Sequence, residues 1–394
     1  MRVAHIESGR HLYGGARQVI YLIDGLRGEG VDNVLICPRG SAIAAEARAS
    51  CRVVELPLHG DLDIGAPLRL RAALESIAPD IVHVHSRRGA DLFAGLASIG
   101  APWRTVLTRR VDHREWPPWA RMKYSRYDAL IAISSAIEFE LVEHVGVQRA
   151  RVHRVPSGVP VDRGIDASGD GGHDTRDAAR RELLESLALP RDARIVGIVA
   201  QLILRKGHRV VLHALPEVLA RHPQWHVVLL GRGPLEHAIR REIARLGLGS
   251  RVHLAGFRPD SQRWLPALDL LLHPALKEGL GLAVLEAMAA SVPVAVSAVG
   301  GLVDIVEDGR SGVLVPPGDV RAWVAAADRL MGDGELRARL AQGGLARVRE
   351  AFGVRQMVLG NLAVYREVTE HAAATHCEKA HNPDRETRHP EVRA

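Results

Sequence analysis

The chain has 394 residues, of which 47% are hydrophobic and 25% charged. This length and balance favour a globular protein of two domains and argue against a disordered or fibrous chain. The formal net charge is +6, from 52 basic and 46 acidic side chains, and is compatible with nucleic acid, an anionic membrane surface or a phosphorylated small molecule as partner.

Cysteine usage and the N-terminal segment predict the compartment. Cys37, Cys51 and Cys377 are widely spaced and lack both metal-ligand spacing and the pattern of a disulfide framework. The first ten residues contain no apolar signal segment, and no apolar run reaches the length that spans a bilayer. We therefore expect a cytoplasmic protein without a transmembrane helix.

Short apolar segments with the length of buried strands alternate with amphipathic helical segments along the chain. This alternation predicts α/β architecture, with mostly parallel sheets covered by helices on both faces. In the first half, the predicted strands lie at residues 3–6, 34–36, 53–56, 81–84, 105–107, 130–133 and 152–155.

Two positions after these strands are candidate ligand contacts. Gly14 and Gly15 follow the first strand and precede a helix, and such a turn lets a ligand approach backbone N–H groups. An ordinary tight turn is an equally good interpretation of the glycines alone. His85 follows the strand at 81–84, at the edge where open α/β sheets bind ligands, whereas His83 is expected to be a buried structural histidine.

Residues 103–127 combine basic and aromatic side chains around a Pro117-Pro118 break. This composition is typical of a membrane-surface patch, and nucleic-acid binding would use the same residue types. A solvated basic helix is the simpler alternative, and we favour contact with an anionic membrane or acceptor. The side chains concerned are Arg104, Arg109, Arg110, Arg114, Arg121, Lys123, Arg126, Trp103, Trp116, Trp119 and Tyr124.

The second half begins after a segment rich in Gly and Asp, at 161–177, that predicts a flexible linker followed by a helix. A buried strand at 195–199 leads into a loop with Lys206 and Gly207, and another helix follows. A cation at a helix start can stabilise a phosphate group. The later turn at 231–234 lacks the third glycine of a dinucleotide fingerprint and is interpreted as structural.

Residues 273–301 contain the most informative pattern in the chain. An apolar strand precedes Glu278 and a glycine loop, a helix follows from Leu282 to about Ala290, and Pro293 ends it before the next strand. The glycines and the helix N-terminus favour an anion such as a phosphate. Glu278 and Glu286 could both accept hydrogen bonds from the hydroxyls of one ligand.

These segments together resemble the retaining glycosyltransferases of the GT-B fold, in family four. The resemblance rests on the pair Glu278 and Glu286 with seven residues between them, on Lys206-Gly207, and on the sequence segment EGLGLAVLEAMA. It covers about residues 1–370. It implies two Rossmann-like domains whose parallel sheets face each other across a cleft. The second domain would hold a nucleotide-diphosphate sugar and the first an acceptor.

The resemblance also implies roles for individual residues. Glu278 would contact the transferred sugar and Lys206 the departing diphosphate, so these two are the predicted catalytic residues, and Glu286 would contact the ribose. Gln201 stands where the family usually has an arginine, and Arg205 is the candidate replacement. The further donor-binding residues implied are Gly14, Gly15, Arg258, Gly279, Leu280 and Gly281.

On the acceptor side the resemblance suggests His85, Arg110 and His113. Many relatives have a histidine after the preceding strand, where this sequence has Thr108-Arg109-Arg110, so the usual acceptor-side histidine is in doubt. No metal site is expected, and the only cofactor-like molecule implied is the nucleotide-sugar donor itself.

The predicted function is that of a retaining, metal-independent glycosyltransferase that acts on a glycan or lipid-linked acceptor, such as a lipopolysaccharide core, at the inner face of the cell membrane. The donor base, the sugar and the oligomeric state stay open. The alternatives are a sugar-nucleotide epimerase of the same fold and a non-enzymatic basic nucleic-acid-binding protein. The predicted segments are an acceptor domain (1–160), a linker (161–190), a donor domain (191–354), a helix crossing back (355–370) and a disordered tail (371–394).

Overall fold

The computed structural model describes residues 1–85, 89–112, 114–161, 170–258 and 261–381. Within them the chain forms two parallel β-sheets, each covered by helices, as the alternation of apolar and amphipathic segments predicts. The expected α/β fold with two Rossmann-like domains is therefore confirmed. His113, one of the predicted acceptor-side residues, lies outside the described residues.

The N-terminal domain contains a seven-stranded parallel sheet with the order β3-β2-β1-β4-β5-β6-β7. Its central strands are apolar and buried on both faces, which is the pattern that parallel sheets require. The strands are β1 (Arg2–Ile6), β2 (Asp32–Pro38), β3 (Arg52–Leu56), β4 (Ile81–Val84), β5 (Arg104–Arg109), β6 (Ala129–Ala132) and β7 (Val152–Arg154).

The order of these strands reverses between β1 and β4, so the loops that follow the two strands diverge and leave a crevice at their carboxyl ends. The helices that cover the sheet are α1 (Gly14–Gly28), α2 (Ala42–Ala47), α3 (Ala66–Ile77), α4 (Ala90–Ala97), α5 (Pro117–Tyr124) and α6 (Ser135–Phe139).

The C-terminal domain contains a six-stranded parallel sheet with the order β10-β9-β8-β11-β12-β13, and its order reverses between β8 and β11. The strands are β8 (Arg194–Val199), β9 (Trp225–Leu230), β10 (Val252–Gly256), β11 (Leu270–His273), β12 (Val294–Ser297) and β13 (Val313–Val315). The helices are α7 (Asp170–Ser186), α8 (His208–Arg221), α9 (Glu236–Arg245), α10 (Leu282–Ala289), α11 (Leu302–Ile305), α12 (Val320–Gly332) and α13 (Gly334–Ala351).

Helix α7 begins at Asp170, so the second half of the segment predicted as a flexible linker is helical. The helix belongs to the C-terminal domain, because Arg180 donates a hydrogen bond of 3.0 Å to the buried Asp269 at the start of β11. Composition alone therefore does not predict the start of this helix, because glycine and aspartate are poor helix formers.

The last helix, α14 (Val354–His381), returns to the N-terminal domain. Its apolar side chains Val358 and Leu362 pack with Leu22 and Leu26 of α1, and its Tyr365 hydroxyl lies 2.6 Å from His83 Nδ1 in β4. The helix continues eleven residues beyond residue 370, where the sequence predicted a disordered tail; residues 382–394 lie outside the described part. Among the described residues, none of the helices has both the length and the apolar character to cross a bilayer.

The chain crosses between the domains twice at one place. Val159 donates a backbone hydrogen bond of 2.9 Å to Phe352 and accepts one of 3.2 Å from Val354. A Cβ on Gly158 would lie 2.6 Å from the Gly353 carbonyl oxygen, so the two backbones touch. The outgoing and returning segments are therefore in direct contact.

The contact between α1 and α14 predicts opposite effects for two glycines of α1. A Cβ on Gly25 would overlap Val358 Cγ2, whereas a Cβ on Gly28 would meet no atom within 4 Å. Gly25→Ala should lower the free energy of unfolding by about 1–3 kcal/mol, because overpacking outweighs the gain of about 1 kcal/mol in helix propensity. Gly28→Ala should be neutral or slightly stabilising in the same urea titration. Equal stability of the two variants would contradict the packing of α14 on α1.

Candidate functional site

The crevices of the two sheets face each other across an interdomain cleft. A Cβ on Gly14, at the start of α1, would lie 2.9 Å from Leu282 Cδ1, at the start of α10. A Cβ on Gly279 would lie 2.6 Å from the carbonyl oxygen of Arg110. Glycine allows both approaches, and the N-termini of α1 and α10 are thereby brought together on opposite walls of the cleft.

Glu278 is an acidic group of this cleft with two basic hydrogen-bond partners. Its carboxylate accepts hydrogen bonds from Lys206 Nζ and, at 2.8 Å, from His273 Nε2, and all three side chains are mostly buried. Burial alone would raise the pKa of Glu278, but the His273 hydrogen bond and the Lys206 charge outweigh it and hold this pKa well below its usual range. Glu278 is therefore ionised, and its charge is balanced by Lys206.

The two residues of this pair come from opposite sides of the reversal point in the sheet. Lys206 ends a short 3-10 turn (Leu204–Lys206) after β8, and Glu278 follows β11. Two glycines with positive φ allow the loops to pack closely. A Cβ added to Gly207 (φ 66°) would overlap the carbonyl oxygen of Pro274, and one added to Gly300 (φ 52°) would overlap the carbonyl oxygen of Glu278. The pair therefore depends on close backbone packing around β8 and β11.

Glu286 lies inside α10, and its pKa is shifted in the opposite direction to that of Glu278. Gln262 Nε2 donates to its carboxylate at 2.5 Å, and burial raises the pKa of Glu286 despite this hydrogen bond and the nearby charge of Arg17. The predicted pair of glutamates thus consists of one carboxylate with a lowered pKa and one with a raised pKa, on the same wall of the cleft.

A cavity of about 630 Å³ lies beside this wall, at the carboxyl ends of β8, β9 and β10. This volume is in the range of small-molecule sites. Gln201 and Arg258, two predicted donor-binding residues, line the cavity together with Arg232 and Phe257. Arg205, the candidate replacement for the family's arginine, is exposed on its turn and is not among the described residues that line the cavity.

Three buried histidines form a hydrogen-bonded relay in the N-terminal wall. Asn33 Nδ2 donates to the Val31 carbonyl, so its Oδ1 accepts from His5 Nε2 at 3.0 Å. His5 Nδ1 must then accept from His85 Nε2 at 3.0 Å, which leaves His85 Nδ1 to accept from Arg110 at 3.5 Å. Burial lowers the pKa of His5 to about 4 and that of His85 well below its usual value, so the relay is neutral near pH 7.

The ring nitrogens of His5, His83 and His85 lie close enough together to hold a metal ion. Each nitrogen already has a protein partner, however, because His83 is hydrogen bonded to Tyr365 and Thr108. We therefore interpret the cluster as a relay that orients Arg110, whose guanidinium also donates to Ser157 Oγ at 3.0 Å.

The basic and aromatic stretch at 103–127 is only partly exposed, and contact of its exposed part with a membrane stays a prediction. Trp103, Tyr124 and Arg109 are buried, and Lys123 is buried in ion pairs with Asp91 (2.6 Å) and Glu115 (2.9 Å). A charged group enters a core only when it is paired, which is the role of these acidic partners. The large apolar side chains of the stretch that stay exposed are Val111, Trp116, Trp119 and Met122.

Several contacts in the cleft have no counterpart in the sequence analysis. His273, the last residue of β11, holds Glu278, and Tyr13 contacts Arg232 across the cleft at 2.8 Å. Asp304 in α11 accepts hydrogen bonds from the backbone N–H (2.6 Å) and hydroxyl of Ser135 at the start of α6, which is a further contact between the domains. The position of His273 at the end of a predicted strand could have indicated a residue of the site. The contacts across the cleft join residues far apart in the sequence, and no local pattern indicates them.

Removal of the Glu278 charge should destabilise the protein in a pH-dependent way. Because its folded pKa is depressed, the ionised group contributes stability that is fully present above its ordinary value of 4.5 and is lost as the pH falls below it. Glu278→Gln should therefore lower the free energy of unfolding by roughly 2–4 kcal/mol at pH 7, and by less at pH 4. Urea unfolding at both pH values measures the effect.

The matched control is Glu217→Gln, which breaks the exposed pair between Glu217 and Arg221. Such surface pairs contribute less than about 1 kcal/mol. A Glu278→Gln penalty that is no larger than this control, or that is the same at both pH values, would contradict the assigned ionisation.

Comparison with known proteins agrees with this geometry. Residues 179–347 match the family model of glycosyl transferases group 1, and residues 13–163 match that of glycosyltransferase family 4. The chain is 28% identical over 291 residues to the lipopolysaccharide core biosynthesis mannosyltransferase LpsB of Rhizobium meliloti (strain 1021). This alignment covers 71% of this chain and 78% of LpsB. It is 27% identical over 347 residues to the lipopolysaccharide core biosynthesis glycosyltransferase LpsE of the same strain, covering 87% of this chain and 93% of LpsE.

The fold is also that of solved glycosyltransferase-like structures. The crystal structure of Anabaena Alr3699/HepE in complex with UDP-glucose superimposes with a TM-score of 0.78 at 18% identity, over 95% of this chain and 100% of that one. Two family models together span most of the chain, and LpsE matches 87% of it. These matches and the shared fold lead to one conclusion. The chain belongs to the group 1 glycosyltransferases of the GT-B fold.

Proposed function

We propose that this glycosyltransferase moves a sugar, with retention of anomeric configuration, from a nucleotide-diphosphate sugar to a glycan or glycolipid acceptor. The observation that carries the proposal is the buried Lys206–Glu278 pair, in which Lys206 directly precedes the N-cap residue of α8 and Glu278 lies in the loop before α10. A fixed cation and two converging helix N-termini favour a diphosphate, and a neighbouring carboxylate can accept hydrogen bonds from sugar hydroxyls.

The donor would lie along the wall of the C-terminal domain. Its nucleoside would occupy the cavity at the ends of β8 to β10, with Glu286 accepting hydrogen bonds from the ribose hydroxyls. The diphosphate would follow at Gly14, Gly15 and Lys206, and the sugar at Glu278. The HepE structure, whose fold this chain shares, was obtained with UDP-glucose, and this supports a nucleotide sugar as the class of donor.

In the proposed reaction, the bond between the sugar C1 and the diphosphate oxygen breaks while a bond from C1 to an acceptor hydroxyl oxygen forms on the same face. The acceptor proton passes to the departing diphosphate oxygen. Negative charge develops on the diphosphate, and Lys206 with the two helix N-termini would stabilise it. These groups supply the charge stabilisation that a metal ion gives in other transferases, so we propose that the reaction is metal-independent.

The acceptor would bind against the N-terminal wall, where the histidine relay orients Arg110. LpsB and LpsE are named for lipopolysaccharide core biosynthesis, and this supports a lipid-linked glycan as acceptor. We propose that the enzyme meets it at the inner membrane face through Trp116, Trp119 and Met122, which are 72%, 44% and 41% exposed. Aromatic and apolar side chains of this kind enter the interfacial region of a bilayer.

Donor binding should depend on pH through Glu286. Ribose hydroxyls donate stronger hydrogen bonds to a carboxylate than to a protonated carboxyl group. Burial raises the pKa of Glu286, so its protonation begins at a higher pH than for an ordinary carboxylate. The affinity for the bound nucleotide sugar should therefore fall as the pH is lowered from 7.5 to 5. The measurement is isothermal titration with UDP-glucose, GDP-mannose and ADP-glucose, whose diphosphates do not titrate in this range.

Glu286→Gln should weaken the preferred donor about tenfold at pH 7.5 and remove most of the pH dependence. A wild-type protein that binds none of the three would count against the proposed donor class. With a lipid-linked acceptor present, transfer to product separates the reaction from an epimerase, which would release free sugar, and the anomeric configuration of the product tests retention.

The exposed tryptophans should carry membrane contact. Replacing Trp116 and Trp119 together by serine should reduce co-sedimentation with phosphatidylglycerol vesicles at least fivefold, because two interfacial anchors are lost. The control is the double replacement of Leu62 and Ile64 by serine, since these side chains are 93% and 91% exposed on the same domain. Vesicle binding that both double variants retain equally would refute this membrane surface.

A further inference from the structure

Tyr13 reaches from the N-terminal domain to the nucleoside cavity of the C-terminal domain. It is the N-cap residue of α1 and directly precedes Gly14 and Gly15. Its ring meets Phe257 edge to face, with 6.1 Å between ring centroids and an interplanar angle of 89°, and its hydroxyl accepts a hydrogen bond of 2.8 Å from Arg232. Both partners lie at the carboxyl ends of strands β9 and β10.

These three side chains form one wall of the cavity. The Arg232 guanidinium lies 4.6 Å from the centre of the Phe257 ring, and Gln201 and Arg258 continue the wall. Of the described residues that line the cavity, Tyr13 alone comes from the N-terminal domain. The cavity therefore has its complete wall only while the two domains are in contact.

The chemistry of this wall suits a nucleobase better than a purely structural contact. Tyr13 and Phe257 are 38% and 42% exposed, so a substantial part of each ring stays open to a ligand. Aromatic rings and a guanidinium plane at the mouth of a cavity are the groups on which a base stacks, with about 1–3 kcal/mol per base.

We propose that Tyr13 is a nucleoside-binding residue that the N-terminal domain contributes to the donor site. The donor is then held tightly only in the closed cleft. Because Tyr13 is continuous with Gly14 and Gly15, closure brings the ring to the nucleoside and the glycine loop to the diphosphate in one movement. This inference rests on the proposed nucleotide-sugar donor.

The test compares wild type, Tyr13→Phe and Tyr13→Ala for binding of whichever of UDP-glucose, GDP-mannose and ADP-glucose wild type prefers. Tyr13→Ala should raise the dissociation constant about tenfold, as expected from the loss of one stacking contact, and stopped-flow traces should place the change in a faster dissociation rate. Tyr13→Phe keeps the ring and loses only the hydroxyl contact with Arg232, so we expect a twofold to threefold effect.

Two further variants keep the test independent of folding. Phe257→Leu changes the same wall from the C-terminal domain and should weaken the donor to a similar extent as Tyr13→Ala. Ile64→Ala, an exposed position of the N-terminal domain far from the cavity lining, should bind as wild type does.

Two outcomes separate this inference from the function on which it rests. If Tyr13→Ala binds the donor within twofold of wild type while Glu286→Gln is weakened, the role of Tyr13 is overturned and the donor site stands. If wild type binds none of the three nucleotide sugars, both the proposed donor class and this inference are wrong.

Discussion

The proposed donor half of the cleft depends on one buried ion pair, between Lys206 and Glu278. The two residues follow neighbouring strands on either side of the point where the strand order reverses, so they meet only when β8 and β11 are adjacent. A buried pair of this kind adds little net stability over apolar residues of the same size, because desolvation offsets the attraction. Its presence is therefore better explained by chemistry in the cleft than by a contribution to the fold.

The proposed acceptor half contains a chain of neutral histidines beside Arg110. The sequence of hydrogen bonds from Asn33 to Arg110 fixes the tautomers of His5 and His85, with the proton on Nε2 of each ring. Burial lowers the pKa of both histidines and keeps them uncharged. The cleft thus has one wall with the Lys206–Glu278 ion pair and another where neutral imidazoles, Ser157 and the charge of Glu7 act on Arg110. This asymmetry matches a transferase, in which a highly charged donor and a mostly hydroxyl-bearing acceptor meet.

Much of this could be predicted from the sequence, because strand length and helical periodicity are local properties. The predicted strands of the N-terminal domain fall within one or two residues of β1 to β7, and the helix predicted from Leu282 ends within one residue of the end of α10. Local composition misled where packing decides: the basic stretch at 103–127 is half buried because Asp91 and Glu115 neutralise Lys123. The contact between Tyr13 and Arg232 joins residues 219 positions apart and depends on how the domains meet. The local sequence around either residue does not predict it.

The place where Val159 and Gly353 lie side by side has a mechanical consequence. Because the outgoing segment at Val159 and the returning segment at Gly353 are paired along their backbones, we expect this place to act as a pivot between the domains. The returning segment continues into α14, whose apolar side chains complete the core of the first domain. The end of the chain is thus structurally part of its beginning, and the first domain cannot finish folding until the second has been synthesised.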